Sequence, residues 1–449
     1  MKMIFLFLLG FFLVNQSTAQ SKTEQLVDLL ETYHKLNTFN GSILIQHKGD
    51  ILLNTGFGYK NTSEKSKAYS TSVFQIGSIT KQFTATVMLK LEEKGKLSIQ
   101  DPVSKYIPAL NVADKITIYQ LLTHTSGIYN YTDNNEFMQH HLEQPTSQAA
   151  MIQLLNQQPL DFDPGTKMKY SNSGYLLLGY IIESVTGEKY ETVVRQLIFN
   201  PLKMINSGFD FAHLTNSQKA TGYNNIRDGI GKPTIIVDST VSFAGGAIYS
   251  TTGDLLKWHL AISDKKFLKP ALKEKLFTPY LNNFGMGWVT DKFYEKNAVF
   301  HNGSIPGFTS NFYRIESDNT CIIILNNIAN QQIDSITRNL LCIIYDKPYS
   351  KPVVKAAIPF SGAEVTKYTG EYQFEGNFRM KIYLQDNKLY AQRIGEEDSF
   401  EMFLYKKDSF FLKAFEADLI FSKDAMDTIQ GVCLIQSKKT MCAKKDTDH

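Results

Sequence analysis

Cysteine is scarce, with four in 449 residues. So few cannot staple a chain of this length, which excludes a disulfide-framework scaffold and leaves folding to a buried apolar core. An excess of one charge is also missing. Lys and Arg number 47 against 44 Asp and Glu, a net charge of +3. No basic stripe interleaved with aromatics runs through the chain, so nucleic acid is excluded as a partner. Paired carboxylates and His/Cys spacings for a metal are absent, so neither cofactor nor metal is expected. There is no internal repeat and no low-complexity tract. Beyond the first segment no apolar run approaches the roughly 20 residues that a bilayer span needs. With 43% hydrophobic and 20% charged residues, 28 Gly and 13 Pro, wholesale disorder and collagen-like repeats are excluded and two or three domains are allowed.

The chain opens on Met1-Lys2-Met3, runs apolar from Ile4 to Val14 and continues to Ser17, Ala19 and Gln20. A basic start, a short apolar run and small residues at Ser17 and Ala19 describe a secretory signal peptide over residues 1–19, cleaved after Ala19. No Cys follows the run to take a lipid. The mature chain is therefore expected to be exported, periplasmic or secreted, with no transmembrane span and with disulfides permitted.

Leu26 to Leu36 reads as a short amphipathic helix, and the apolar runs around Lys48-Gly49-Asp50 read as a hairpin. Ser78 to Glu93 and Gly174 to Val185 carry helical apolar stripes. Residues 117–216 are mostly helix and loop. Strand-like runs follow from Phe284 to Asn327, and a helix from Ile333 to Ile344 closes the unit. Strands, many helices, strands and a helix predict an α+β domain whose antiparallel sheet joins both ends around a helical insert. Pro348, Pro352 and Pro359 mark a linker over residues 346–362. Beyond it, short alternating runs at close intervals predict an all-β barrel or sandwich over residues 363–449. The expected order is thus a signal peptide (1–19), a catalytic domain (20–345), a linker and a β-domain.

Three patterns stand in order: Ser78-Ile79-Thr80-Lys81, Tyr170-Ser171-Asn172 and His301-Asn302-Gly303. Each is weak alone. S-x-x-K recurs at Ser263–Lys266, Y-x-N at Tyr59–Asn61, Tyr223–Asn225 and Tyr280–Asn282, and H-x-G at His47–Gly49. A spacing of three on a helix puts Ser78 and Lys81 on one face, and a desolvated lysine can take a proton from a serine. The bland alternative is a capping serine and a solvated lysine. Tyr170 near an ammonium can ionise below its ordinary value of about 10 and move protons. Asn172 offers a donor and an acceptor for Lys81 and a substrate amide. Gly303 would let a substrate backbone approach a strand edge, and His301 can bond Tyr170 or a substrate acid. Asp133, Asp254 and His124 read as structural, and His140-His141 as surface.

The order and the surroundings carry a resemblance. Phe74 to Ala85, Thr117 to Gly127, Pro164 to Tyr175, Ala244 to Asp254 and Gly285 to Trp288 resemble landmarks of the serine hydrolases related to class C β-lactamases and D-alanyl-D-alanine carboxypeptidases. The resemblance spans about residues 24–345. It implies an antiparallel sheet packed with helices, a helical subdomain and a site between them. It implies that Ser78 is acylated, that Lys81 and Tyr170 share the proton transfers, and that Asn172 holds Lys81 and the substrate amide. Backbone N–H groups of Ser78 and Ser304 would form the oxyanion hole, and His301, Asn302 and Gly303 would border the substrate. Residues 363–449 resemble the lipocalin-like domain appended to such hydrolases. The substrate would be a small molecule or short peptide, and a partner for the β-domain is not specified.

The third motif departs from the Lys-Thr-Gly of many relatives. A histidine, with an ordinary value of about 6.5, removes a fixed positive charge. Strong recognition of a substrate carboxylate, and with it efficient β-lactam hydrolysis, is not expected; hydrolysis of amides or esters is. The competing reading is a non-catalytic or single-turnover binder of the same fold. Cys321 and Cys342 lie in apolar runs and read as buried thiols. Cys433 and Cys442 flank Ser437-Lys438, and a two-residue turn there would set them opposite each other as a cross-strand disulfide.

Overall fold

The computed structural model describes residues 20–446 apart from 228, 330–331, 377, 397, 413–416 and 437–438. The expected signal peptide therefore lies outside the described residues. Helix α1 (Lys22–Lys35) opens on a capping box, in which Ser21 Oγ accepts from Glu24 N–H and the Glu24 carboxylate accepts from Ser21 N–H. The cap, not the apolar stripe, sets the first turn, so the helix starts ahead of Leu26. Helices α2 (Thr80–Glu93), α3 (Asn172–Thr186), α4 (Ser239–Gly246), α5 (Thr252–Ser263), α6 (Pro270–Phe277) and α7 (Ile333–Ile344) follow. A separate 3-10 turn, Gly77–Ile79, precedes α2. Ser78 thus stands in that turn and not in the α-helix that its spacing to Lys81 predicts.

Strands β1 (Gly41–His47) and β2 (Asp50–Phe57) form the expected hairpin. With β3 (Val289–Phe293), β4 (Lys296–Ile305), β5 (Phe308–Ile315) and β6 (Thr320–Asn326) they make one six-stranded antiparallel sheet in the order β2-β1-β6-β5-β4-β3. The sheet joins both ends of this part of the chain around the helical stretch, the α+β arrangement read from element order. Its central strands are covered on both faces, so β6 is buried along its whole length and does not alternate. Ile322 and Ile324 pack with Leu26 and Leu30 of α1 and with Ile336 and Leu340 of α7. Ile323 and Leu325 face the other way, into a larger core that includes Phe83 and Val87 of α2 and Leu176 and Ile181 of α3.

Residues 347–360 hold no helix or strand and reach the C-terminal strands. There β7 (Gly370–Gln373), β8 (Arg379–Gln385), β9 (Lys388–Arg393), β10 (Ser399–Lys406), β11 (Ser409–Leu412), β12 (Ala417–Lys423), β13 (Ile429–Gln436) and β14 (Lys439–Lys445) close into a barrel. Closure decides between the barrel and the sandwich that the sequence left open. Tyr372, Met380, Phe410, Leu419 and Phe421 fill the interior. Cys433 and Cys442 are register partners across β13 and β14 and form a disulfide with Cα atoms 4.0 Å apart. Cys321 is a buried free thiol, whereas Cys342 is only half-buried, because it lies off the stripe that α7 turns to the core. No helix among the described residues is long and apolar enough to cross a membrane.

Candidate active site

The turn that carries Ser78 is held from both sides. Ile76 N–H donates to Ile248 O (3.0 Å), and Ile76 O accepts from Ser310 Oγ on β5 (2.9 Å). Strand β4 lies directly against this turn. A Cβ on Gly303 would stand 2.0 Å from Ile76 O and 2.2 Å from Ser310 Oγ, so only glycine fits. The bare Cα of Gly303 therefore admits the protein's own nucleophile turn. Gly77, at φ 51°, faces the backbone of Ser304 in the same way: a Cβ there would lie 2.8 Å from Ser304 N. Ser304 and Ser78 line one small pocket.

Lys81 is fully buried on α2, one turn beyond Ser78. Its Nζ donates to Asn172 Oδ1 (2.8 Å) and to Gly245 O (2.8 Å) and lies 3.1 Å from Ser78 Oγ. Burial pushes its ionisation well below the ordinary lysine value. Gly245 belongs to the segment 244–254 noted in the sequence, but its role as an acceptor was not legible there. The backbone breaks from helix at Phe243 (φ 34°, ψ −130°), and Thr84 Oγ1 donates to the neighbouring Ala244 O (2.6 Å). A left-handed aromatic costs on the order of 1–3 kcal/mol and persists because its surroundings over-determine it. Here the break aims Gly245 O at Lys81.

Asn172 opens α3. Its N–H donates to Asn130 Oδ1 (2.9 Å) and its Nδ2 to Thr132 Oγ1 (3.3 Å), while Asp133 accepts from Asn130 Nδ2 (2.9 Å). Asn130, Thr132 and Asp133 thus fix the amide that holds Lys81. Asp133 keeps the structural part read for it, as does buried Asp254, which accepts from Ser207 Oγ (2.9 Å) and Lys257 Nζ (2.7 Å).

Tyr170 is gripped by His124, which belongs to the site rather than to the distant scaffold. The two rings stack at 4.4 Å. On one side of Tyr170, Lys169 N–H donates to His124 O (3.0 Å); on the other, Ser171 N–H donates to His124 Nδ1 (3.1 Å). A non-glycine φ of 58° at His124 makes both bonds possible, a backbone feature with no sequence signature. Burial, then the nearby Lys81, push His124 well below its ordinary value, so the ring is neutral. Burial raises the Tyr170 hydroxyl above the tyrosine range, against a lowering hydrogen bond with Ser78. Lys81 Nζ stands 4.9 Å from the Tyr170 ring centre.

His301 points toward Tyr170, with ring centres 6.1 Å apart. Its Nδ1 donates to Asn302 O (2.6 Å), which leaves the buried Nε2 as an acceptor with no partner among the described residues. Burial, then Lys81, lower it to about 4, so it carries no charge at neutral pH. Asn302 does not join the site. Strand alternation turns it to the other face of the sheet, where its Nδ2 donates to Asp334 Oδ1 on α7 (2.7 Å). His140 and His141 are exposed, as read.

The pocket at Ser78 measures about 110 Å³ and is walled by Tyr131, Met138, Leu142, Val241, Ile305 and Pro306. Clefts several times larger, of about 650 and 670 Å³, lie away from Ser78. The chemistry, not the size of a cavity, marks the site.

Comparison with known proteins agrees with this geometry. The Beta-lactamase family model matches residues 26–340. Penicillin-binding protein 4* of Bacillus subtilis (strain 168) is 28% identical over 428 residues, which cover 90% of this chain and 94% of that protein. The octameric penicillin-binding protein homologue from Pyrococcus abyssi superposes with a TM-score of 0.65 at 25% identity, over 93% of this chain and 99% of its own. The D-amino acid amidase from Ochrobactrum anthropi SV3 shares the fold, with a TM-score of 0.63 at 22% identity over 73% of this chain and 99% of its own. The chain belongs to the Beta-lactamase family of serine hydrolases.

Proposed function

We propose that this protein is an exported serine hydrolase that cleaves uncharged amide or ester substrates through an acyl-enzyme on Ser78. The contact set of Lys81 carries the reading. Asn172 Oδ1 and Gly245 O can only accept, so they take two N–H bonds of Lys81. The third neighbour, Ser78 Oγ, stands 3.1 Å from Nζ, within reach for proton transfer once the amine is neutral. Burial favours the neutral amine, so in this reading Lys81 is the resting base, and Tyr170 stays a phenol that passes the proton on to the leaving group. His301 Nε2 is an acceptor suited to the Tyr170 hydroxyl. The N–H groups of Ser78 and Ser304 border the position of the developing oxyanion.

The pocket supports a compact apolar group beside the scissile carbonyl. Among the described residues no arginine and no carboxylate lines it, so neither a substrate carboxylate nor a free amine meets a fixed counter-charge from them. The binder or single-turnover alternative lacks a specific observation in its favour, since Ser78, Lys81 and Tyr170 are assembled. The deciding experiment is turnover of p-nitrophenyl esters and acyl-amino-acid amides by the mature chain and by Ser78→Ala. Wild-type turnover with a loss of at least about 10³-fold in the variant is expected. A wild-type burst without turnover on every substrate would instead favour the binder.

A further inference from the structure

Arg314 is a buried cation remote from the reaction. It is 0% exposed on β5. One edge of its planar guanidinium is taken by α5: Nε donates to His259 Nδ1 (3.2 Å) and Nη2 to Ser263 Oγ (2.7 Å). Phe277 and Trp288 flank it, with ring centres 5.7 and 5.9 Å from Cζ. Nη1 leaves from the opposite edge and finds no acceptor among the described residues. A guanidinium does not deprotonate, and a buried charge without a counter-charge or full hydrogen bonding is strongly unfavourable.

Arg314 lines a groove of about 670 Å³ with Phe277, Asn283, Thr290, Lys292 and Val299. The two carboxylates at its border are engaged elsewhere: Glu316 with Lys273, and Asp291 with Arg338 and Tyr313. Lys292, exposed at the rim, adds positive charge, and Asn283 adds an amide.

We propose that this groove is a binding site for a small monovalent anion, a halide or a small carboxylate, seated on Arg314 Nη1. The site connects to the reaction centre through one loop. Asn282 and Asn283 both hold positive φ (50° and 64°), and the next residue, Phe284, packs against His124 and Tyr170 at 5.7 and 6.1 Å. An anion on Arg314 therefore braces the loop that supports Tyr170.

The test is thermal unfolding of the mature full-length protein against sodium bromide and sodium formate, at ionic strength held with a bulky sulfonate. A saturable rise of a few degrees is expected, as for a ligand that binds only the folded state. It is expected to vanish in Arg314→Met. Should that variant fail to fold, Val299→Phe, at the cross-strand partner of Arg314, keeps the guanidinium but fills the groove beside it and is expected to abolish the rise as well. Crystals grown with bromide should show anomalous density at Nη1. No saturable shift in the wild type, an unchanged shift in both variants, or a water alone at Nη1 would overturn the proposal.

Discussion

Lys81 bears the heaviest electrostatic load of any residue at the site. In the unfolded chain it ionises at its ordinary value; in the fold burial pushes that value well below. Between the two values the unfolded chain binds the extra proton, so stability from this group rises with pH across that window and is diminished at neutral pH. Lys81→Met removes the burden and keeps much of the volume. Its Tm at pH 7 is expected to equal or exceed that of the wild type, while turnover falls at least about 10³-fold. Melting curves and ester assays on the same preparation check both halves. The same shift fixes the pH profile. The protonated amine is inactive, so kcat/KM is expected to climb with pH along one limb set by Lys81, below the ordinary lysine range. His301, lowered to about 4, is neutral throughout and adds no inflection near its ordinary value. An inflection near that value, lost in His301→Asn, would show that the histidine is charged in the working enzyme.

At the scale of elements, the site is a seam between strand β4 and the turn that carries Ser78. The contact is backbone against backbone, with 2.0 Å between Ile76 O and the place where a Gly303 Cβ would be. Gly303→Ala must therefore part the strand from the turn. A shift of about 1 Å at a nucleophile costs on the order of 10²-fold in rate, and overpacking of this kind costs roughly 1–3 kcal/mol. Gly303→Ala is expected to lose both, in kcat and in denaturant midpoint; full activity would mean that β4 does not position Ser78. How much of this was legible follows from the kind of contact. The hairpin, α7 and the strand of Gly303 follow from apolar period, and the second and third motifs stand on the elements expected of them, while Ser78 stands in the turn ahead of α2. The face of Asn302, the grip of His124 and the carbonyl of Gly245 do not, because each depends on register or on one unusual φ.

At the scale of the molecule, the barrel holds a core of its own, separate from the two cores that sandwich the sheet. The crossing between them is tied by the ion pairs Lys351–Asp28 and Lys355–Asp418 and by Ile358 N–H on Leu404 O (2.7 Å). The exposed Lys351–Asp28 pair contributes little. Two calorimetric transitions are therefore expected for the mature chain, in place of one. The strand that closes the barrel, β14, meets β7 at Tyr372–Lys445 and Gln373–Lys444, with Asp446 N–H on Glu371 O beyond them, and is tied to β13 by Cys433–Cys442. Reductant is thus expected to lower the barrel's transition and leave the other in place. Thiol counting on denatured, unreduced protein should find two thiols, and four after reduction. A single transition that moves as a whole under reductant would mean that the barrel and the hydrolase unfold as one.

The amino-acid sequence by itself determined what local chemistry can encode. Apolar period two or near four assigned strand and helix, prolines marked the crossing, and a nine-residue separation set two cysteines opposite each other. The ordered motifs named Ser78, Lys81, Tyr170 and His301. Only the tertiary structure decided which atoms meet. Burial pushed a lysine's ionisation well below its ordinary value and made a histidine an uncharged acceptor, because the ionisation of both depends on how much water surrounds them. Strand alternation sent Asn302 to the far side of the sheet, and packing from distant parts of the chain left one edge of Arg314 without a partner. Those outcomes arise from contacts between residues 32 to 164 positions apart, and no local pattern records them.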